Sequence, residues 1–154
     1  MMRPRKVRVG SSPLGKAVFA QREFITHEVI GEIKGEIIDD PLFASTFGMD
    51  LGGELTLDPK PPFRFLNHSC QPNCELFMWD TDQTSPIPRL WLQAVARIQP
   101  GDELTIDYGW PAQSAIPCGC RAANCRGWVV DEAQVHLVAE STAATAAGCL
   151  TRHP

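Results

Sequence analysis

Apolar residues along this chain fall in short runs broken by glycine, proline and small polar residues, without the sustained three-and-four spacing of long amphipathic helices. Lys16-Ala-Val-Phe-Ala20 follows a Ser11-Ser-Pro-Leu-Gly15 turn and reads as a strand. Glu28 to Ile38 is apolar and β-branched, and Gly31 and Gly35 divide it into short pieces or mark bulges. Arg89 to Ala96 is the strongest strand candidate of the second half and follows a loop from about Asp80 to Pro88. The helical signal comes late: Asp131 is placed to cap a run from Glu132 to about Ala147, with Val135, Leu137 and Val138 on its apolar face and Gly148 placed to stop it. Many short strands with one late helix predict a mainly β, α+β fold.

Gly52-Gly-Glu-Leu-Thr-Leu-Asp58 and Gly101-Asp-Glu-Leu-Thr-Ile-Asp107 echo one another. A tandem repeat requires similarity over a whole supersecondary unit. Here the first copy runs into Pro59 and the second into Tyr108, so each is expected to be a turn leading into a short strand.

A chain of 154 residues with 44% hydrophobic content fits one modest globular core. The opening Met-Met-Arg-Pro-Arg-Lys-Val-Arg-Val is basic, but no apolar stretch long enough for a secretory core or a membrane span follows it, so a soluble intracellular protein is the expectation. Arg3, Arg5, Lys6 and Arg8 read as a solvated arm. A net charge of -4 argues against direct nucleic-acid binding and suits a basic substrate.

Six cysteines could signal a disulfide framework in a small secreted protein, a reading that weakens without a secretory context. Three of them lie in Cys118-Gly-Cys120-Arg-Ala-Ala-Asn-Cys125, followed by Arg126-Gly127. Thiolates spaced this tightly suit a tetrahedral zinc ion better than mutual disulfides, which would strain such short loops. A closed structural site needs a fourth ligand, and spacing leaves Cys70, Cys74 and Cys149 open for it.

Arg64-Phe-Leu-Asn-His-Ser-Cys-Gln-Pro-Asn-Cys74 and Gly101-Asp-Glu-Leu-Thr-Ile-Asp-Tyr-Gly109 together resemble the signature segments of the SET-domain protein-lysine methyltransferases. The resemblance extends over roughly residues 5 to 130, with Gly15-Lys16-Ala17-Val18 similar to the family's N-terminal Gly-x-Gly stretch and Ile30 to Ile37 to its following strand pair. It implies the SET fold of short curled sheets, in which the two signature segments lie side by side and one threads a loop of the other in a pseudoknot. It divides the chain into a SET domain (5–110), a zinc-binding post-SET segment (114–130) and a C-terminal helix and tail (131–154). S-adenosylmethionine is the implied cofactor, bound by Lys16, Ala17, Val18, Asn67, His68, Tyr108 and Trp128, with Arg64 supporting that shell. Trp128 sits where the family often brings an apolar or aromatic side chain against the adenine, the alternative being a tryptophan that packs on the domain. Cys70 is the implied fourth ligand of a structural Zn2+ beside Cys118, Cys120 and Cys125, which leaves Cys74 as a core thiol and Cys149 without a role.

The implied reaction is methyl transfer to a lysine ε-amine of a protein or peptide, a histone or another basic protein, with Tyr108 as the catalytic residue. Tyr108 is the chain's single tyrosine. Two further residues invite an acid–base reading, but Glu103 and Asp107 on one strand face would stand ~13 Å apart, too far to share a proton. For His68 the expectation is hydrogen bonding within the site. The aromatic residue, Phe or Tyr, that the family commonly holds two positions before the catalytic tyrosine corresponds to Ile106, and the tyrosine it otherwise places on the strand after the Asn-His segment to Leu76, so an apolar pocket permissive of di- or trimethylation is expected. The family's second glycine is Ala17 here, which motivates a competing expectation: a zinc-stabilised SET-fold interaction module without efficient catalysis.

Overall fold

The hydrophobic runs do become strands, and most are short. A computed structural model describes residues 3–78 and 88–138. Among these residues the strands are β1 (Val7–Ser12), β2 (Gly15–Ala20), β3 (Val29–Ile33), β4 (Gly35–Asp39), β5 (Met49–Asp50), β6 (Leu55–Pro59), β7 (Asn67–His68), β8 (Cys74–Met78), β9 (Leu90–Ala94), β10 (Thr105–Ile106), β11 (Ile116–Pro117) and β12 (Trp128–Val129). They form five small sheets: β1-β2, β10-β7, β11-β12, β3-β9-β8 and β4-β6-β5. The mainly β expectation is met, and β7 with β10 pairs the two signature segments as the resemblance implied.

The chain divides into two compact units, the first made of residues up to Asn67 together with Asn73–Thr105, the second of His68–Pro72 and everything from Ile106 onward. In the first unit, β1 and β2 form a hairpin in which Ala17 faces Gly10 and Lys16 faces Ser11. The run from Glu28 to Ile38 breaks as its glycines foretold. Register between β3 and β9 shifts at Val29/Gly31, and Gly35 opens β4 against Pro59 of β6. A side chain at Gly35 would put its Cβ 2.2 Å from the Asp58 carbonyl oxygen, so that pairing requires glycine. The core of this unit gathers Val18, Phe24, Ile30, Leu92, Ile98 and Leu104, all shielded from solvent. Each large apolar side chain so buried stabilises the unit by roughly 1.5–3 kcal/mol.

Both echoing Gly-x-Glu-Leu-Thr segments are turns that feed strands: Gly52, Gly53 and Gly101 take φ values of 90°, 62° and 93°, ahead of β6 and β10. Cys74 is a core thiol on β8, 1% exposed, and burial pushes its pKa up to about 12.

The second unit has less regular structure. The β11-β12 ladder is two residue pairs long and brackets a turn-rich cysteine segment, and Ile106, Val129, Val130 and Val138 are the unit's buried aliphatic residues among those described. Asp131 caps as expected: its carboxylate accepts from the Ala133 N–H at 2.8 Å, and a 3-10 turn over Glu132–Gln134 leads into α-helix at 135–138. The expected apolar face is corrected in one place. Leu137 is 43% exposed, while Val138 of the same expected face is buried. The remainder of the predicted helix, Cys149 and most of the loop predicted from Asp80 lie outside the described residues.

Candidate functional site

Of the residues singled out by sequence, the first unit holds Lys16, Ala17, Val18, Arg64 and Asn67, and the second holds His68, Tyr108, Trp128 and four cysteines. In the first unit Asn67 joins two segments distant in sequence. Its Nδ2 donates to the Lys16 carbonyl at 3.0 Å and to the Glu103 carboxylate at 3.0 Å. Glu103 therefore serves as an acceptor for Asn67, in line with its exclusion as an acid–base partner. Asn73 repeats the device, donating to the Glu103 carbonyl at 2.8 Å and accepting from the Thr105 N–H at 2.9 Å. Sequence offered no signal for this second bridge, because an asparagine after proline reads as a turn.

Ala17 and Val18 are fully buried, and Ala17 is not among the described residues with positive φ, so its methyl group is accommodated without backbone strain. The Lys16 ammonium lies 4.8 Å from the centre of the Phe65 ring. Arg64 is committed locally: its guanidinium donates to the Asp58 carboxylate at 2.7 Å and to the Pro59 carbonyl at 3.0 Å, and stacks 4.1 Å from the Phe47 ring centre.

In the second unit four sulfurs converge. Cys70, Cys118, Cys120 and Cys125 place their Sγ atoms within 4.8 Å of one another. The Cys70–Cys118 and Cys70–Cys125 separations are 3.8 and 4.0 Å. Four thiolates around zinc at about 2.3 Å stand about 3.8 Å apart, so the donor set fits a tetrahedral Zn2+. Backbone amides complete the site: Cys70 N–H points at the Cys120 sulfur at 3.5 Å, Arg126 N–H at the Cys70 sulfur at 3.4 Å and Gly127 N–H at the Cys125 sulfur at 3.4 Å. Burial pushes the Cys70 and Cys118 thiols up. At Cys120 burial acts in the same direction, but the amides of Cys70 and Ala122 and the neighbouring thiols outweigh it and bring the pKa to about 6. A cluster that stabilises the Cys120 thiolate while pushing the Cys70 and Cys118 thiols up favours a divalent cation that displaces the protons. Among the described residues, Cys70 is the candidate for the fourth ligand whose sulfur joins the cluster, while Cys74 is a core thiol of β8.

His68 stands between this cluster and Tyr108. Its ring is 7% exposed, its Nδ1 accepts from the Tyr108 N–H at 3.0 Å, and its Nε2 lies 3.4 Å from the Cys70 sulfur. That network assigns the proton to Nε2. Burial lowers the His68 pKa despite the Asp107 carboxylate 3.6 Å from Nδ1, so the neutral ring is the working form. The half-buried Tyr108 ring meets His68 edge-on at 5.4 Å and Trp110 at 5.3 Å with a 36° tilt. Gly109 follows with φ 60°, a left-handed turn that glycine adopts without cost. Trp128 is half-buried on β12, opposite Pro117.

Sequence reasoning passed over Arg126 and Trp110. Arg126 forks onto Asp107 through both terminal nitrogens and donates to the Val130 carbonyl at 2.7 Å. Burial pushes the Asp107 carboxyl up, and Arg126 with the Gly109 amide overcomes this and holds it below its ordinary value. The position of Arg126 directly after the last clustered cysteine was the available signal.

Comparison with known proteins agrees with this geometry. The family model described as SET domain matches residues 15–109. The histone-lysine N-methyltransferase Set2 of Drosophila melanogaster is 35% identical over 122 residues, covering 68% of this chain, and ash1 of the same organism is 34% identical over 121 residues, covering 70%. The chain spans 5% of the length of each of these two relatives. Among solved structures, KRYPTONITE in complex with mCHH DNA, an H3(1–15) peptide and SAH superposes with a TM-score of 0.67 at 27% identity, over 80% of this chain and 29% of that one. Signature segments, fold and cysteine cluster converge on one conclusion: the chain belongs to the SET-domain family.

Proposed function

We propose that this protein is an S-adenosylmethionine-dependent methyltransferase acting on the ε-amine of lysine in a protein substrate. The observation that carries the reading is the placement of Tyr108: the chain's one tyrosine follows the clamped Asp107, and its backbone N–H is anchored on a buried neutral histidine. Relatives named as histone-lysine N-methyltransferases and a neighbour solved with SAH and an H3 peptide support it. In this reading residues 5–110 form the catalytic domain, 114–130 the post-SET zinc segment, and 131–154 follow it. Cys70, Cys118, Cys120 and Cys125 hold a structural zinc.

S-adenosylmethionine, when bound, supplies a methyl group on a cationic sulfonium. By the family resemblance, its binding is assigned to Lys16, Ala17, Val18, Arg64, Asn67, His68, Tyr108 and Trp128. An amine nucleophile must first lose its proton, and an unperturbed lysine has a pKa of about 10.4. Burial of the target lysine in an apolar channel lowers that value by desolvation, so no strong general base is required. Tyr108 then acts through its hydroxyl, accepting from the amine and aiming the nitrogen lone pair. Alignment of this kind supplies several kcal/mol of rate enhancement. Ile106, which is buried, and Leu76 offer no hydroxyl to hold a water or restrain the amine, so we assign the protein di- or trimethylation. Mass spectra that show monomethyl-lysine alone would count against this.

A chain of net charge -4 suits a lysine-rich, basic protein substrate more than nucleic acid. No helix among the described residues is long and apolar enough to cross a membrane. Free thiols poised for metal fit a reducing, intracellular compartment.

The test is incubation of the zinc-loaded protein with methyl-labelled S-adenosylmethionine and a mixture of histones and other basic proteins. Label transfer that Tyr108→Phe abolishes is expected. A protein that retains zinc but neither binds the cofactor nor transfers label would instead be the interaction module that Ala17 raised as an alternative.

A further inference from the structure

Asp107 and Arg126 touch none of the reacting groups in the chemistry just described, yet they share a two-point ion pair in the second unit. Arg126 donates to both Asp107 oxygens and to the Val130 carbonyl, while its own backbone N–H points at the Cys70 sulfur. Asp107 Oδ1 in turn accepts from the Gly109 N–H at 3.0 Å. Both residues that flank Tyr108 are therefore fixed by one carboxylate, and that carboxylate is held by the residue adjoining Cys125. A second path runs from the Cys70 sulfur through the His68 ring to the Tyr108 N–H. The two paths form a closed ring of hydrogen bonds with the sulfur cluster on one side and the Tyr108 backbone on the other.

Elementary considerations show why such a ring matters. β10 ends at Ile106, so Tyr108 lies beyond regular structure, where backbone position depends on side-chain contacts. A bidentate arginine–carboxylate pair fixes both distance and orientation. Arg126 has a side chain 11% exposed, so its fork is shielded from much of the competing water.

We propose that Arg126 and Asp107 are positioning residues that transmit occupancy of the four-cysteine site to Tyr108, so that metal binding sets the tyrosine's geometry. The role rests on the methyltransferase reading above for its consequence, but its structural content stands apart from turnover.

Because Tyr108 is the sole tyrosine, biosynthetic incorporation of 3-fluorotyrosine places one 19F reporter in the protein, at the position in question. Zinc removal from the wild type should shift that resonance. In zinc-loaded Asp107→Asn and Arg126→Lys, each with zinc stoichiometry measured directly, the resonance should move toward the metal-free position. In the same variants kcat should fall about 10- to 100-fold, the scale typical of lost outer-shell support, while KM for the cofactor changes little. A resonance and kcat equal to wild type in zinc-loaded variants would overturn the proposal. So would loss of zinc from both variants, which would confine the pair to holding the metal site. If the 19F responses hold but the wild type transfers no methyl group, the positioning link stands and the functional reading falls.

Discussion

Asn67 shows how much one side chain can carry. Its amide ties the β2 backbone to Glu103, two segments that no local propensity would bring together. Asn67→Ala removes both bonds and leaves the Lys16 carbonyl and the Glu103 carboxylate to find other donors. With the residue part-exposed, the expected loss is about 1 kcal/mol in unfolding free energy, measured by denaturant titration. A wild-type midpoint would show that water replaces the amide without penalty. Asn67, His68, Cys70 and Tyr108 were legible in the sequence because their motifs are dense in polar groups that a core does not use. Glu103 as the partner of Asn67, and Asn73 beside it, were not, since each is an ordinary polar residue whose role exists only once distant chain segments meet.

At the scale of elements, strand positions were readable where β-branched and apolar runs ended at glycine or proline, as for β2, β3, β4 and β9. Pairing was harder to read, because β3 bonds to β9 far along the chain and periodicity does not specify a partner. That pairing carries an electrostatic signature. The Arg89 guanidinium donates to both Glu32 oxygens at 2.9 Å, and Lys34 contacts the same carboxylate. Arg89 chiefly, and Lys34 after it, lower the Glu32 pKa to about 2 against the opposing effect of burial. Because the folded-state value lies below the unfolded one, the stabilisation is present above pH 4.5 and fades as pH falls toward 2. Arg89 and Lys34 are 46% and 71% exposed, which screens the pair and holds its worth below about 1 kcal/mol. Arg89→Ala should flatten the acid limb of the stability profile, read by thermal melts across that range, and added salt should do the same in the wild type. An acid limb that neither change alters would remove the pair from the account.

For the molecule as a whole, the second unit draws its order from four cysteines more than from strands or apolar mass. The β11-β12 ladder is short and the aliphatic core small, so metal binding is expected to contribute directly to folding. Extracting zinc with a chelator should reduce second-unit structure, followed by circular dichroism, and weaken S-adenosylmethionine binding, followed by calorimetry. Unchanged cofactor affinity in the metal-free protein would separate the two sites. The resemblance identified the family from segments that span a small part of the chain, while the hydrogen-bonded ring linking metal site and tyrosine required three dimensions. The central claim is that Tyr108, so held, directs methyl transfer to lysine. Its most direct test is mass spectrometry of a lysine-rich basic protein after incubation with S-adenosylmethionine and the zinc-loaded chain, beside zinc-loaded Tyr108→Phe. Methylated lysine with the wild type and unmodified lysine with the variant is the expected result; equal methylation by both, or none by a wild type that binds zinc and cofactor, would contradict the account.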